Sequence, residues 1–263
     1  MIKMRALLGG LLALALTLSM HTAQAGQPRH MTIAAAADLR YALDAVIAAY
    51  HQAHPQDTIK VTYGSSGKLL AQIEQGAPFE LFFSADSEYP KQLVAAGAAS
   101  GDPVPYALGH IVIWSARVDA SKLTVADLAK PSFGRIAIAN PEHAPYGKRA
   151  EQALHAAGVW DAVKSRLVYG DNIAQTAQFI ASGNAKVGII AQSLAVDPQM
   201  AKQGSYAVIP AALYQPLLQS FLVTRRGADN TLAHDFAHYV QGAEARDVLS
   251  RYGFGVPSAA AEH

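Results

Sequence analysis

Cysteine is absent from the 263 residues. That excludes disulfides, thiolate metal sites, cysteine nucleophiles and a lipid-modified N-terminal cysteine. Charge is sparse: only 16% of residues are charged, and 21 basic residues nearly balance 20 acidic ones. Without a basic excess there is no electrostatic footprint for nucleic acid. Beyond residue 25 no apolar run reaches the roughly 20 residues needed to span a bilayer. No tether rich in proline, glycine or serine divides the chain, and no internal repeat appears. What is present is apolar bulk, 51% of the sequence. It is enough for one large core or two modest ones without covalent staples.

The first 25 residues stand apart. Lys3 and Arg5 give a positive start, Ala6 to Met20 is apolar and uncharged, and Ala23-Gln24-Ala25 supplies small residues around a cleavage point. This is the pattern of a secretory signal peptide, removed after Ala25. The apolar segment is short for a membrane anchor. Removing residues 1–25 takes away two basic residues and no acid, leaving 19 basic against 20 acidic. The expected product is an exported protein of the periplasm.

From Met31 onward, short β-rich runs alternate with amphipathic helical patterns. MTIAAAA precedes DLRYALDAVIAAYHQAH, IKVTY precedes SGKLLAQIEQG, and ELFFSA precedes DSEYPKQLVAAG. GHIVIWSA follows as one run. GRIAIAN, SRLVYG and KVGIIA each lead into a helix, and LLQSFLVT precedes helices over 230–241 and 243–252. Such alternation predicts α/β layers built on mostly parallel sheets. Length alone allows one domain or two.

The segment Tyr63–Gly76, YGSSGKLLAQIEQG, needs its own account. A phosphate-binding P-loop requires glycine five positions before the Gly-Lys pair and serine or threonine after it. Thr62 and Leu69 occupy those places. A hydrolase elbow reads G-x-S-x-G, and Gly64-Ser65-Ser66-Gly67 has different spacing. A triad from Ser66, His143 and an aspartate remains open, because order and spacing vary among folds. The loop also ends a strand and opens a helix, whose first N–H groups lack partners and can hold an anion. The plainer alternative is that Ser65 or Ser66 caps its own helix. Three further loops repeat the arrangement: Ala37-Asp38, Asn140 to Gly147, and Gly170 to Ile173. All follow strands at the edge where open α/β sheets bind ligands. His234 and His238, spaced as on a zinc helix, lack the intervening glutamate and a third ligand, so they read as a solvated face.

Six segments carry a resemblance: AAAADL (34–39), SSGKLLAQIEQGAPFELFFSAD (65–86), ANPEHAPYG (139–147), GDNIAQTA (170–177), VGIIAQS (187–193) and RYGF (251–254). Together they make the chain similar to the periplasmic molybdate-binding proteins of ABC importers, within the type II solute-binding superfamily. The resemblance implies two α/β lobes, each a mostly parallel sheet flanked by helices, joined by a two-strand hinge. Lobe 1 would comprise 26–110 and 222–263, and lobe 2 would comprise 111–221. It implies a non-catalytic, monomeric receptor that holds molybdate or tungstate and passes it to a membrane permease. No cofactor is implied, and the metal stays inside its own shell of oxygens. The implied oxyanion-binding residues are Ala37, Asp38, Ser65, Ser66, Tyr146, Ile173 and Ala191. Asp38 stands where the family has a side-chain donor, so its N–H is expected to serve while its carboxylate turns away to cap the helix. Ala191 stands where some members have tyrosine, and the Tyr146 phenol is expected to reach the ligand instead. A receptor for sulfate or another tetrahedral oxyanion, and a secreted serine hydrolase using Ser66 and His143, are the competing expectations.

Overall fold

The computed structural model describes residues 28–257. The signal segment and the last six residues lie outside the described part. Within it are two mixed five-stranded sheets. The first has the order β2-β1-β3-β10-β4, with β1 His30–Ala36, β2 Thr58–Gly64, β3 Leu81–Ser84, β4 Val104–Gly109 and β10 Leu217–Val223. The second has the order β7-β6-β8-β5-β9, with β5 Ile111–Ser115, β6 Ile136–Ala139, β7 Leu167–Gly170, β8 Val187–Ala191 and β9 Ser205–Val208. In the first sheet β1 runs parallel to β2 and β3, and in the second β6 runs parallel to β7 and β8. The crossover strands β5 and β10 run antiparallel to their neighbours.

The helices are α1 Arg40–Ala53, α2 Ser66–Glu74, α3 Glu88–Ala95, α4 Pro145–Ala156, α5 Trp160–Val163, α6 Ile173–Ala181, α7 Gln192–Ala195, α8 Pro198–Ala201, α9 Thr231–Val240 and α10 Ala243–Arg251. In α1, Ala42, Leu43, Val46, Ile47 and Tyr50 form one buried stripe, the spacing of a helix laid on a sheet. Both faces of the first sheet are covered. Ile33, Phe83 and Phe221 pack into the core under α1 and α9, while their neighbours Ala34, Phe82 and Leu222 pack under α2 and α3. That is the period-2 alternation of strands buried on both sides. A separate core surrounds the second sheet.

The run GHIVIWSA is not one strand. Gly109 ends β4 in the first sheet, His110 is the crossing, and Ile111 begins β5 in the second. The chain returns between Val208 and Leu217. By sheet membership this return comes ahead of residue 222, the boundary expected from the sequence. Strand β4 itself eludes the sequence pattern because Pro105 interrupts it. Proline is tolerated there because β4 is an edge strand. Its register against β10 shifts between Gln219 and Ser220.

Arg149 on α4 fastens the lobes beside the crossing. Its guanidinium, itself buried, donates to the partly buried Asp86 at 3.0 Å and to the carbonyls of the exposed Gln215 and Pro216 at 3.0 and 3.1 Å. Replacing Arg149 with alanine leaves the partly buried Asp86 without its counter-charge. Arg149→Ala is expected to lower stability by about 3 kcal/mol, and lysine to restore only part of it, because one ammonium cannot reproduce the planar fork. Urea unfolding of the three proteins measures this.

Candidate functional site

Four helices begin at one place. The turn Ala37–Leu39 that leads into α1 follows β1, and α2 follows β2. From the other lobe, α4 follows β6 and α6 follows β7. Each of these strands belongs to a parallel pair, so all four helix starts lie at carboxyl ends of strands. Between them is a small cavity of about 10 Å³, lined by Ala36, Ala37, Asp38, Ser66, Tyr146 and Ile173 among others. Ser65 lines it too; Ala191 does not. Ala191 ends β8 opposite Ile111, fully buried.

The first N–H groups of a helix have no intrahelical acceptor. Those of Asp38, Ser66, Tyr146 and Ile173 are in the opening turns of their helices. Pro145 opens α4 and sacrifices no donor there. The serines do not cap α2. Ser65 Oγ lies 3.0 Å from His143 Nδ1, and Ser66 Oγ accepts from the Ala85 N–H at 3.0 Å. Since Ser66 accepts there, its own hydroxyl proton is available to the cavity. In a wholly buried position it has no access to bulk water.

His143 therefore meets Ser65, not Ser66. Burial first, and the neighbouring Lys68 charge second, hold its pKa below the usual histidine value. Its Nε2 is 3.9 Å from Asp171, which pairs mainly with Lys68. The pairing joins the lobes at the cleft mouth, with both side chains half exposed, where such pairs contribute little. The backbones approach as closely as the side chains: Gly67 N donates to His143 O at 3.0 Å. A Cβ on Gly67 would sit 2.9 Å from that oxygen.

Beneath the cavity the lobes share a buried polar network. Asp38 is 1% exposed. Its Oδ2 accepts from Tyr146 Oη at 3.0 Å and from Gln219 Nε2 at 2.8 Å. Tyr106 Oη donates to Gln219 Oε1, and Ser193 Oγ donates to the Asp38 carbonyl at 2.8 Å. Asp38 Oδ1 is buried without a hydrogen-bond partner. The carboxylate was expected to cap the helix; no such cap bond is made, and two side-chain donors hold it instead. The Tyr146 hydroxyl, expected to reach a ligand, is spent on Asp38. Gly109 makes room for the network, since a Cβ there would stand 2.5 Å from the Tyr146 hydroxyl. Desolvation raises the Asp38 pKa to about 6, against the opposing pull of Gln219, Tyr146 and the amides of Asp38 and Leu39. Burial, then the Asp38 charge, holds both tyrosines well above their ordinary value, so they remain donors.

Gln219, Tyr106 and Ser193 were not among the residues singled out from sequence. The available signal was a lone glutamine inside the apolar run LLQSFLV. Elsewhere, His234 and His238 are exposed, and no group of three metal-ligating side chains occurs among the described residues. No helix of the described part is long and apolar enough to cross a membrane.

The raised Asp38 pKa has a thermodynamic consequence. Between the ordinary value of 3.8 and about 6 the folded protein binds more protons than the unfolded chain. Stability attributable to this group is therefore present at low pH and lost as pH rises through that window. Asp38→Asn removes the ionisable group. The variant is expected to gain about 2 kcal/mol more over the parent at pH 7.5 than at pH 4.5, read from urea unfolding of the ligand-free proteins.

Residues 31–255 match the family of bacterial extracellular solute-binding proteins. Molybdate-binding protein ModA of Azotobacter vinelandii is 38% identical over 74% of this chain and 78% of its own length. ModA of Rhodobacter capsulatus is 36% identical over 75% of this chain and 77% of its own. Among solved structures, the periplasmic molybdate-binding protein of Azotobacter vinelandii superposes with a TM-score of 0.81 at 29% identity, covering 87% of this chain and all of that one. The sulfate-binding protein SubI of Mycobacterium tuberculosis, 16% identical with a TM-score of 0.72 and covering 88% of each chain, shares the fold. The chain belongs to the bacterial extracellular solute-binding proteins, on the ModA branch, and is a binding subunit and not an enzyme.

Proposed function

We propose that this protein is a periplasmic receptor that captures molybdate, and tungstate with little distinction, between its lobes and presents it to an ABC-type permease. The observation that carries this reading is the convergence of four helix starts, two from each lobe, on one small cavity. The donors would be the N–H groups of Asp38, Ser66, Tyr146 and Ile173 and the Ser66 hydroxyl, with Ala37 and Ser65 lining the ion. The cavity's own volume, about 10 Å³, is close to the least that holds a single water molecule. A tetrahedral oxyanion is larger, so the helix starts would have to draw apart slightly to seat it.

The ligand class follows from the donors. Each hydrogen bond to a charged oxygen contributes about 1.5–3 kcal/mol. Half a dozen can outweigh dehydration and leave about −8 kcal/mol, the micromolar scale. Helix starts add positive potential without a cationic side chain. Sulfate has the same charge and shape but a smaller radius. Donors fixed by the helices and sheets cannot all follow it inward. Because the donors come from both lobes, the ion bridges them and favours the closed arrangement over the open one.

Calorimetric titration with molybdate, tungstate, sulfate and phosphate tests the reading. Molybdate and tungstate are expected to bind similarly and at least tenfold more tightly than sulfate. A preference for sulfate would overturn the ligand assignment. Ser66→Ala removes a hydroxyl and leaves the Ala85 N–H unpaired, so molybdate affinity should fall roughly 10- to 100-fold. Alanine at His143 should leave most of the affinity, because His143 contacts Ser65 and not the lining donors of α4 and α6.

A further inference from the structure

The two oxygens of the Asp38 carboxyl are unequal. Oδ2 has two donors, Tyr146 and Gln219, while Oδ1, equally buried, has none. The residue lines the cavity proposed for the anion. An ionised carboxyl facing a dianion in a desolvated site would be strongly repulsive. No cation is at hand to relieve it. Tyr146 from α4 and Tyr106 from β4 are the titratable groups facing the carboxyl, and both stay neutral. From β10 comes Gln219 and from α7 comes Ser193, both uncharged. Helix α6 reads IAQTAQFIA and contributes no charge, and Arg40 at the start of α1 is exposed. His143 stands beyond Ser65, with its pKa lowered.

We propose that Asp38 is a specificity-determining residue that binds the oxyanion as a neutral carboxylic acid, with its proton on Oδ1 donated to a ligand oxygen. Above the pKa of the empty site, the proton comes from solvent when the anion enters. The complex then gains one proton and one dianion together. Oδ2 keeps its two donors, and the unpartnered oxygen becomes a sixth donor to the ion. This inference rests on the oxyanion-receptor reading above and adds a proton to it. A carboxylic acid does what a neutral side-chain donor would do, but only while protonated, so affinity becomes tied to pH.

The sign follows from linkage. The form that binds is protonated, so affinity is full below the empty-site pKa of about 6 and declines above it. Molybdate remains a dianion from neutral pH upward, and His143 is already neutral there, so neither supplies a slope. With sodium molybdate as the probe, Kd is expected to rise about 100-fold between pH 6.5 and pH 8.5, tenfold per unit. Calorimetry at pH 8 in two buffers of different ionisation enthalpy should report the uptake of about one proton per ion. Asp38→Asn keeps an N–H donor that does not titrate. Its Kd should change less than twofold over the same range, with no proton uptake, and at pH 8.5 it should bind more tightly than the parent. Molybdate binding by the parent without proton uptake and without a slope would overturn the inference while leaving the receptor reading intact. A slope that persists in Asp38→Asn would overturn it as well. Absence of molybdate binding at every pH would overturn both. The proton count on the parent needs no variant, so a poorly folding Asp38→Asn would not rescue the idea.

Discussion

A helix cannot satisfy its own first N–H groups. Everything distinctive about this cleft depends on where those groups go. Away from the cleft the chain caps them in the ordinary way: Asn230 accepts from Leu232 N at the start of α9, and Asp197 from Gln199 N at the start of α8. At the cleft, the side chains that could do the same are diverted. Ser65 turns to His143, Ser66 accepts from Ala85, and Asp38 receives Tyr146 and Gln219. Asn172 caps α6 at Gln175 N, two residues past Ile173. The opening amides are left facing a shared cavity, with the helix dipoles adding positive potential. The fold makes this possible because parallel strands deliver successive helix starts to one end of a sheet, and two sheets deliver four.

Much of this was legible in the sequence, for physical reasons. Strand–helix alternation is local, and the apolar spacing of α1 or the run IAIA of β6 records which face is buried. The loops that follow strands β1, β2, β6 and β7 could be named as helix starts, because Gly, Ser, Asn and Pro punctuate them. What could not be read is partnership across long separations. Nothing near Asp38 in the chain announces Gln219, 181 positions away, or Tyr146, 108 positions away. The expectation that the carboxylate would cap its helix followed a local rule, and a distant phenol and amide displaced it. Ser66 as partner of His143 failed for a similar reason: one residue along a helix start turns the side chain to another side, and it is Ser65 that faces the histidine. The break at His110 was hidden because GHIVIWSA is a continuous β-type run. Only the pairing partners show that it serves two sheets.

A buried carboxyl without a counter-charge destabilises the conformation that buries it. Here that conformation is the one in which the lobes meet, since Tyr146 and Ser193 reach Asp38 from the second lobe while Gln219 belongs to the first. Separating the lobes would return the carboxyl to water and relieve the cost. The closed, empty arrangement thereby carries a penalty set by the same residue that helps line the site. An anion whose oxygen accepts the Asp38 proton removes the penalty and adds its own bonds to both lobes. Its differential affinity for the closed form then includes both contributions. Uncharged donors alone would pull the lobes together. A group that resists closure until the ligand neutralises it makes the difference between empty and loaded larger, and that difference is what a membrane partner must read.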